Sequence, residues 1–233
     1  MKILTLFIVS IAFLASHLCG QYKDAFYCGA ECGASYNFSG ITQQVGPAGD
    51  DHSAETQHYL GMPVGGFLGY QKLYNHWLFR LEGFARYEDF FQNRYKKAES
   101  TSATIDVNDE FLLSQKWSFG FFFKPGYLFR EDWLLYGVTG VKWTQFEYAI
   151  KPGDAAESQF SGFAKPYYPA LVLGVGIEKD LGMCQLGLEG TFAFYSNHTL
   201  TTVNNVLSSA DDDYIAHLNG RVGTLMLRLT FPF

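Results

Sequence analysis

From Phe26 onward the chain repeats every two residues, and the two sets differ sharply in charge. In Trp77–Arg86 one set holds Trp77, Phe79, Leu81, Gly83 and Ala85, and the other holds Leu78, Arg80, Glu82, Phe84 and Arg86. Trp117–Gly126 divides into Trp117, Phe119, Phe121 and Phe123 against Ser118, Gly120, Phe122, Lys124 and Gly126. Phe26–Phe38, Cys184–Tyr195 and Leu225–Phe233 behave alike. A period of two is that of a strand, whose successive side chains point to opposite faces. In these five segments the apolar face carries no charge. The opposite faces carry Glu31, Arg80, Glu82, Arg86, Lys124, Glu189 and Arg228, and the segment near Leu171–Ile177 adds Glu178. That set is four acids and four bases. In a soluble antiparallel sheet the polar face meets water and its charges need not balance. Balance suits charges that face one another in a confined space, where an unpaired ion is costly.

The faces are then apolar outside and polar inside, the pattern of a strand-built barrel in lipid. Composition agrees. Charged residues are 17% of the 233, below the roughly 25% of ordinary soluble domains, while aromatics reach 18%. Yet mean hydropathy is only −0.03, and beyond residue 18 no apolar run nears the ~20 residues of a spanning helix. Residues 1–20 read as a secretory signal peptide: Lys2, then an apolar run Ile3–Leu14, with cleavage expected after Gly20. Cys19 invites a lipoprotein reading, but Ser-His-Leu before it lacks the small residue a lipidated cysteine needs. Cleavage removes one base and no acid, leaving 16 bases against 23 acids, or −7. That balance argues against nucleic acid as a partner.

Eight strands are expected: Phe26–Phe38, Tyr59–Gln71, Trp77–Tyr87, Lys116–Phe129, Leu134–Tyr148, Tyr168–Glu178, Met183–Tyr195 and Ala216–Phe233. Their connections alternate short (near 72–76, 130–133 and 179–182) and long (about 39–58, 88–115, 149–167 and 196–215). The fold class is thus all-β, a closed antiparallel eight-stranded up-and-down transmembrane β-barrel over 21–233. Short turns belong on the periplasmic side and long loops outside, which puts Tyr74, Trp77 and Trp133 at a periplasmic aromatic girdle. Two residues resist. Pro63 cannot donate to a ladder and asks for a bulge. Lys142 shares parity with Tyr136 and Val138, and asks for a bulge or for a place above the membrane.

With the signal peptide, the Tyr27–Ala30 opening (Tyr-Cys-Gly-Ala), the eight-strand rhythm and the ending Phe231-Pro232-Phe233, the chain resembles small outer-membrane barrels of the OmpA/OmpX type, including opacity-like surface proteins. The resemblance covers about 26–233. It implies an outer membrane of a Gram-negative bacterium, a monomer, loops at the cell surface, and lipid neighbours including lipopolysaccharide. It also implies that Phe231 and Phe233 are the signal read by the barrel-assembly machinery, and that the charge cluster is a salt-bridge plug or gate.

Three functions follow. The first is a structural or surface-interaction protein, adhesin- or antigen-like, that meets host or surface ligands through its loops. The second is a small ion- or solute-conducting pore. The third is a lipid-modifying enzyme, for which Ser196, His198 and Asp211 could be assembled on paper, although their spacing matches no motif. We expect no enzyme, no cofactor and no metal. His52, His58, His76, His198 and His217 lack metalloenzyme spacing, and Asp211-Asp212-Asp213 reads as a solvated loop tip, with cation or lipopolysaccharide bridging as the alternative. Cys28, Cys32 and Cys184 are an odd set. The first two are about 13 Å apart along a strand, beyond disulfide reach, which leaves surface residues or an intermolecular disulfide.

Overall fold

The computed structural model describes residues 22–45, 51–88, 96–97, 110–130, 132–151, 161–164, 167–196, 198–202 and 214–233. The expected signal peptide and parts of the long loops, Asp211–Asp213 among them, lie outside the described residues. Among the described residues twelve strands occur: β1 (Ala25–Val45), β2 (Asp51–Gly61), β3 (Val64–Tyr74), β4 (Trp77–Tyr87), β5 (Lys96–Lys97), β6 (Glu110–Arg130), β7 (Trp133–Lys151), β8 (Ser161–Ala164), β9 (Tyr167–Asp180), β10 (Gln185–Tyr195), β11 (His198–Thr202) and β12 (Tyr214–Pro232). Eight of them, β1, β3, β4, β6, β7, β9, β10 and β12, pair with their chain neighbours, and β12 pairs back onto β1. The ladder from Tyr27↔Pro232 to Val45↔Tyr214 closes the cylinder. Closure leaves the ring no free edge, so the backbone groups of the ladder find their partners within the sheet, as lipid demands. The other four strands extend the wall at the long-loop end.

Alternation decides the faces. Outward residues are large and bare: Leu68 is 70% exposed, Phe121 66%, Val175 67% and Leu227 50%. Around the short turns Tyr74, Trp77, Tyr127 and Phe129 form an exposed aromatic rim, with Trp77 and Tyr127 5.2 Å apart. Inward, large rings alternate with glycines that make room for them. A Cβ at Gly176 would lie 2.3 Å from the Tyr136 ring, and one at Gly29 2.3 Å from that of Phe67. Gly176→Val is therefore expected to lower stability by about 1–3 kcal/mol through overpacking. Urea titration of the barrel in liposomes reads this, and an unchanged midpoint would refute the packing argument.

Pro63 is accommodated without a bulge. The strand is interrupted at Met62–Pro63, yet the register against β1 is the same on both sides, Ser35↔Gly61 and Cys32↔Val64. The Gly33 amide donates to the Pro63 carbonyl at 3.0 Å, and only the return bond that proline cannot make is lost. Lys142 needs neither a bulge nor a place above the membrane. Tyr136 and Val138 themselves face the lumen, 3% and 4% exposed, and the β7–β9 register runs unbroken from Trp133↔Lys179 to Gln145↔Tyr167. A register shift does occur on β6, at Lys116–Trp117. The wall also extends into the expected loops: β1 reaches Val45, β6 begins at Glu110 and β7 ends at Lys151. His52 and His58 thus fall in β2, His198 in β11 and His217 in β12.

Candidate functional site in the barrel lumen

Strand alternation turns every second residue inward, and the lumen of an eight-stranded barrel is just wide enough for side chains to fill. Among the described residues it buries five acids, Glu31, Glu82, Glu88, Glu178 and Glu189, and five bases, Arg80, Arg86, Lys124, Lys142 and Arg228. All ten are 3% exposed or less.

They lie in three tiers. Nearest the short turns, Arg80 makes two bonds to Glu178, at 2.7 and 3.1 Å, and donates to Gln71 at 3.0 Å and to Gln185 at 2.9 Å. This bidentate geometry is what a planar guanidinium offers a carboxylate. The N-terminal segment closes over it. Tyr22 is buried, its hydroxyl 3.4 Å from the Glu178 carbonyl, and the Gln71 amide donates to the Lys23 carbonyl at 3.0 Å.

The middle tier holds three acids and three bases. Lys124 donates to Glu82 at 2.6 Å and to Glu189 at 2.7 Å. Arg228 donates to Glu82 at 2.6 Å and also to Glu189. Arg86 grips Glu31 with Nε and Nη2. Arg228 Nε to Glu31 at 3.6 Å and Arg86 Nη2 to Glu189 at 3.8 Å join the pairs at ion-pair distance. The Tyr27 hydroxyl donates to Glu82 and that of Tyr136 to Glu189, each at 3.2 Å. Aromatic faces cover the guanidiniums, with Arg228 3.9 Å over Phe67 and Arg86 4.5 Å over Phe84. Cations desolvated against ring faces gain from the ring quadrupole. Toward the loops, Glu88 accepts from Ser118 at 2.6 Å and from Lys142 at 3.2 Å, and Thr144 bonds Tyr195 at 2.8 Å.

The structure brings together all eight charged residues singled out on the sequence and adds Glu88 and Lys142. Parity held the signal for Lys142, since Tyr136 and Val138 share its inward face. Glu88 sits just past the end of β4 and continues the inward parity of Arg80, Glu82 and Arg86, so its signal lay one residue beyond the expected strand end at Tyr87. Phe233 lies on the outer surface, 55% exposed, its amide bonded to the Phe26 carbonyl at 2.8 Å. Cys28, Cys32 and Cys184 are free thiols, with Cys32 exposed on the outer face. Partial burial pushes the Cys184 thiol up, and the Asp180 charge adds to it. Ser196 follows β10 and His198 opens β11. Asp211 lies outside the described residues.

No protein-family model matches the sequence, and no curated protein matches it. Solved structures do. The outer-membrane protein OprG from Pseudomonas aeruginosa is similar with a TM-score of 0.51 and 9% identity, over 91% of this chain and 98% of its own. The outer-membrane protease OmpT from Escherichia coli is similar with a TM-score of 0.50 and 8% identity, over 94% and 100%. Neisserial surface protein A has a TM-score of 0.44 and 13% identity, over 89% and 97%. At such identities the likeness concerns the fold. The chain is a closed eight-stranded antiparallel β-barrel, and its fold is similar to that of solved outer-membrane barrels.

Proposed function

We propose that this is a structural and surface-interaction protein of the outer membrane, in which the lumen is an ionic core and the long-loop end is the working face. One observation carries the reading: ten lumenal charges, five of each sign, are paired and buried. A conducting pore needs a hydrated path past its charged residues, and the near-complete burial of these ten supports a closed core instead. The core therefore acts as structure, holding eight strands in register with no net charge sealed inside. Strand length supports the second half of the reading. Crossing the bilayer takes about 9–11 residues, whereas β1 and β6 have 21 and β7 and β12 have 19. The excess lies at the loop end as a hydrogen-bonded wall, a rigid base for binding loops.

On this reading the loops face the cell exterior and meet host or surface ligands, the belt meets outer-membrane lipid, and the molecule is a monomer. Phe231 and Phe233, on the strand that closes the barrel, are the residues we assign to recognition by the assembly machinery. Planar-bilayer recording tests the core. The expected trace is silent for the wild type, with steps emerging only when the middle tier is emptied by Lys124→Ala with Glu82→Ala. Reproducible steps from the wild type would establish the pore instead. Protease cleavage within 89–109 on intact cells tests the orientation.

A further inference from the structure

The outer wall is not uniformly bulky. Along the seam of β1, β12 and β10 two apolar depressions, of about 600 and 460 Å3, share Ala34 and Leu225 and so form one slot. Its floor is built from small residues: Cys32 and Ala34 on β1, Gly190 on β10 and Gly223 on β12. Phe192 and Leu188 stand beside it. From Leu227 to Gly223 the slot follows β12 for four residue steps, about 13 Å of strand, which suits part of an extended acyl chain. Arg221 lies two residues beyond Gly223 toward the loops, in register with the lining residue Phe38 and with Phe194, both of them exposed. Arg221 is itself exposed. Among the residues whose exposure is described, the other exposed cations, Lys23, Lys72 and Arg130, sit at the short-turn end.

An apolar slot with an exposed guanidinium just beyond its loop-side end is complementary to a lipid whose head is anionic. Guanidinium binds phosphate through paired N–H donors. We propose that the β1–β12–β10 seam holds one phosphorylated acyl lipid of the outer leaflet, of the lipid A class, with a chain in the slot and a phosphate on Arg221. The proposal rests on the reading that the long-loop end faces the outer leaflet.

Native mass spectrometry of the purified barrel in detergent, titrated with diphosphorylated lipid A and with phosphatidylethanolamine, tests it. The wild type is expected to retain one lipid A in preference to the zwitterionic lipid. Arg221→Gln is expected to weaken that retention about tenfold, the loss of one charge-assisted contact. Gly190→Leu fills the slot, because a Cβ there meets only Leu225, at 4.0 Å. It is expected to abolish retention while heat-modifiable migration on gels stays normal. Ala34→Leu serves the same purpose should Gly190→Leu not fold. Equal retention of the two lipids, unchanged retention in both variants, or a dimer that covers the seam would overturn the proposal. Binding in detergent does not depend on orientation in the cell, so loops found on the periplasmic side would overturn the surface reading separately.

Discussion

Arg228→Met is expected to destabilise the folded barrel by about 3–5 kcal/mol, the cost of leaving partners of a buried ion network uncompensated. Arg228 is bonded to Glu82 and Glu189 and lies 3.6 Å from Glu31. Without it, three carboxylates share Lys124 and Arg86, and the tier carries a net negative charge out of reach of water. Methionine keeps the packing against Phe67, so the loss reads the charge and not a cavity. Urea unfolding in liposomes followed by tryptophan fluorescence measures it. Glu189→Gln added to Arg228→Met restores neutrality and is expected to recover part of the loss. A single variant as stable as the wild type would show that the tier is hydrated and screened, and the ionic-core reading would fall with it.

The second large effect lies on the opposite face. Phe121→Arg is expected to cost about 2–4 kcal/mol in liposomes, the penalty for a base near the bilayer midplane. Phe121 is 66% exposed and its flanking outward neighbours are Phe119 and Phe123. Phe121→Leu, which keeps the face apolar, is expected to stay within about 1 kcal/mol, since only part of an already exposed side chain is lost. The sign discriminates between solvents. On a water-soluble barrel an arginine at so exposed a position would be neutral and would raise solubility. A Phe121→Arg variant that folds without detergent and keeps its stability would exclude a lipid-facing belt.

The extensions of β1, β6 and β7 were illegible in the sequence for a definite reason. Alternation marks a strand only while its two faces meet different solvents. Residues Ser39–Val45 continue the β1 ladder, but their mixed Ser-Gly-Ile-Thr-Gln run shows no sidedness, as expected where both faces lie above the bilayer. Backbone pairing continues there because hydrogen bonds do not depend on side-chain polarity. Pro63 was misleading for a related reason. A proline removes one donor, and the ladder can lose one bond and keep its register, as Ser35↔Gly61 and Cys32↔Val64 demonstrate.

The residue order alone determined that the chain forms strands, which face of each is greasy, and that the ionic residues share the other face. Those properties are local, set by a period of two and by the solvent each side chain tolerates. Which acid meets which base was decided only in three dimensions. Arg80 and Glu178 are 98 positions apart and Arg228 and Glu82 are 146 apart, and their pairing depends on the register and closure of the ladder. The place of Glu88 beside Lys142, and the slot beneath Arg221, likewise depend on neighbours that no sequence window contains.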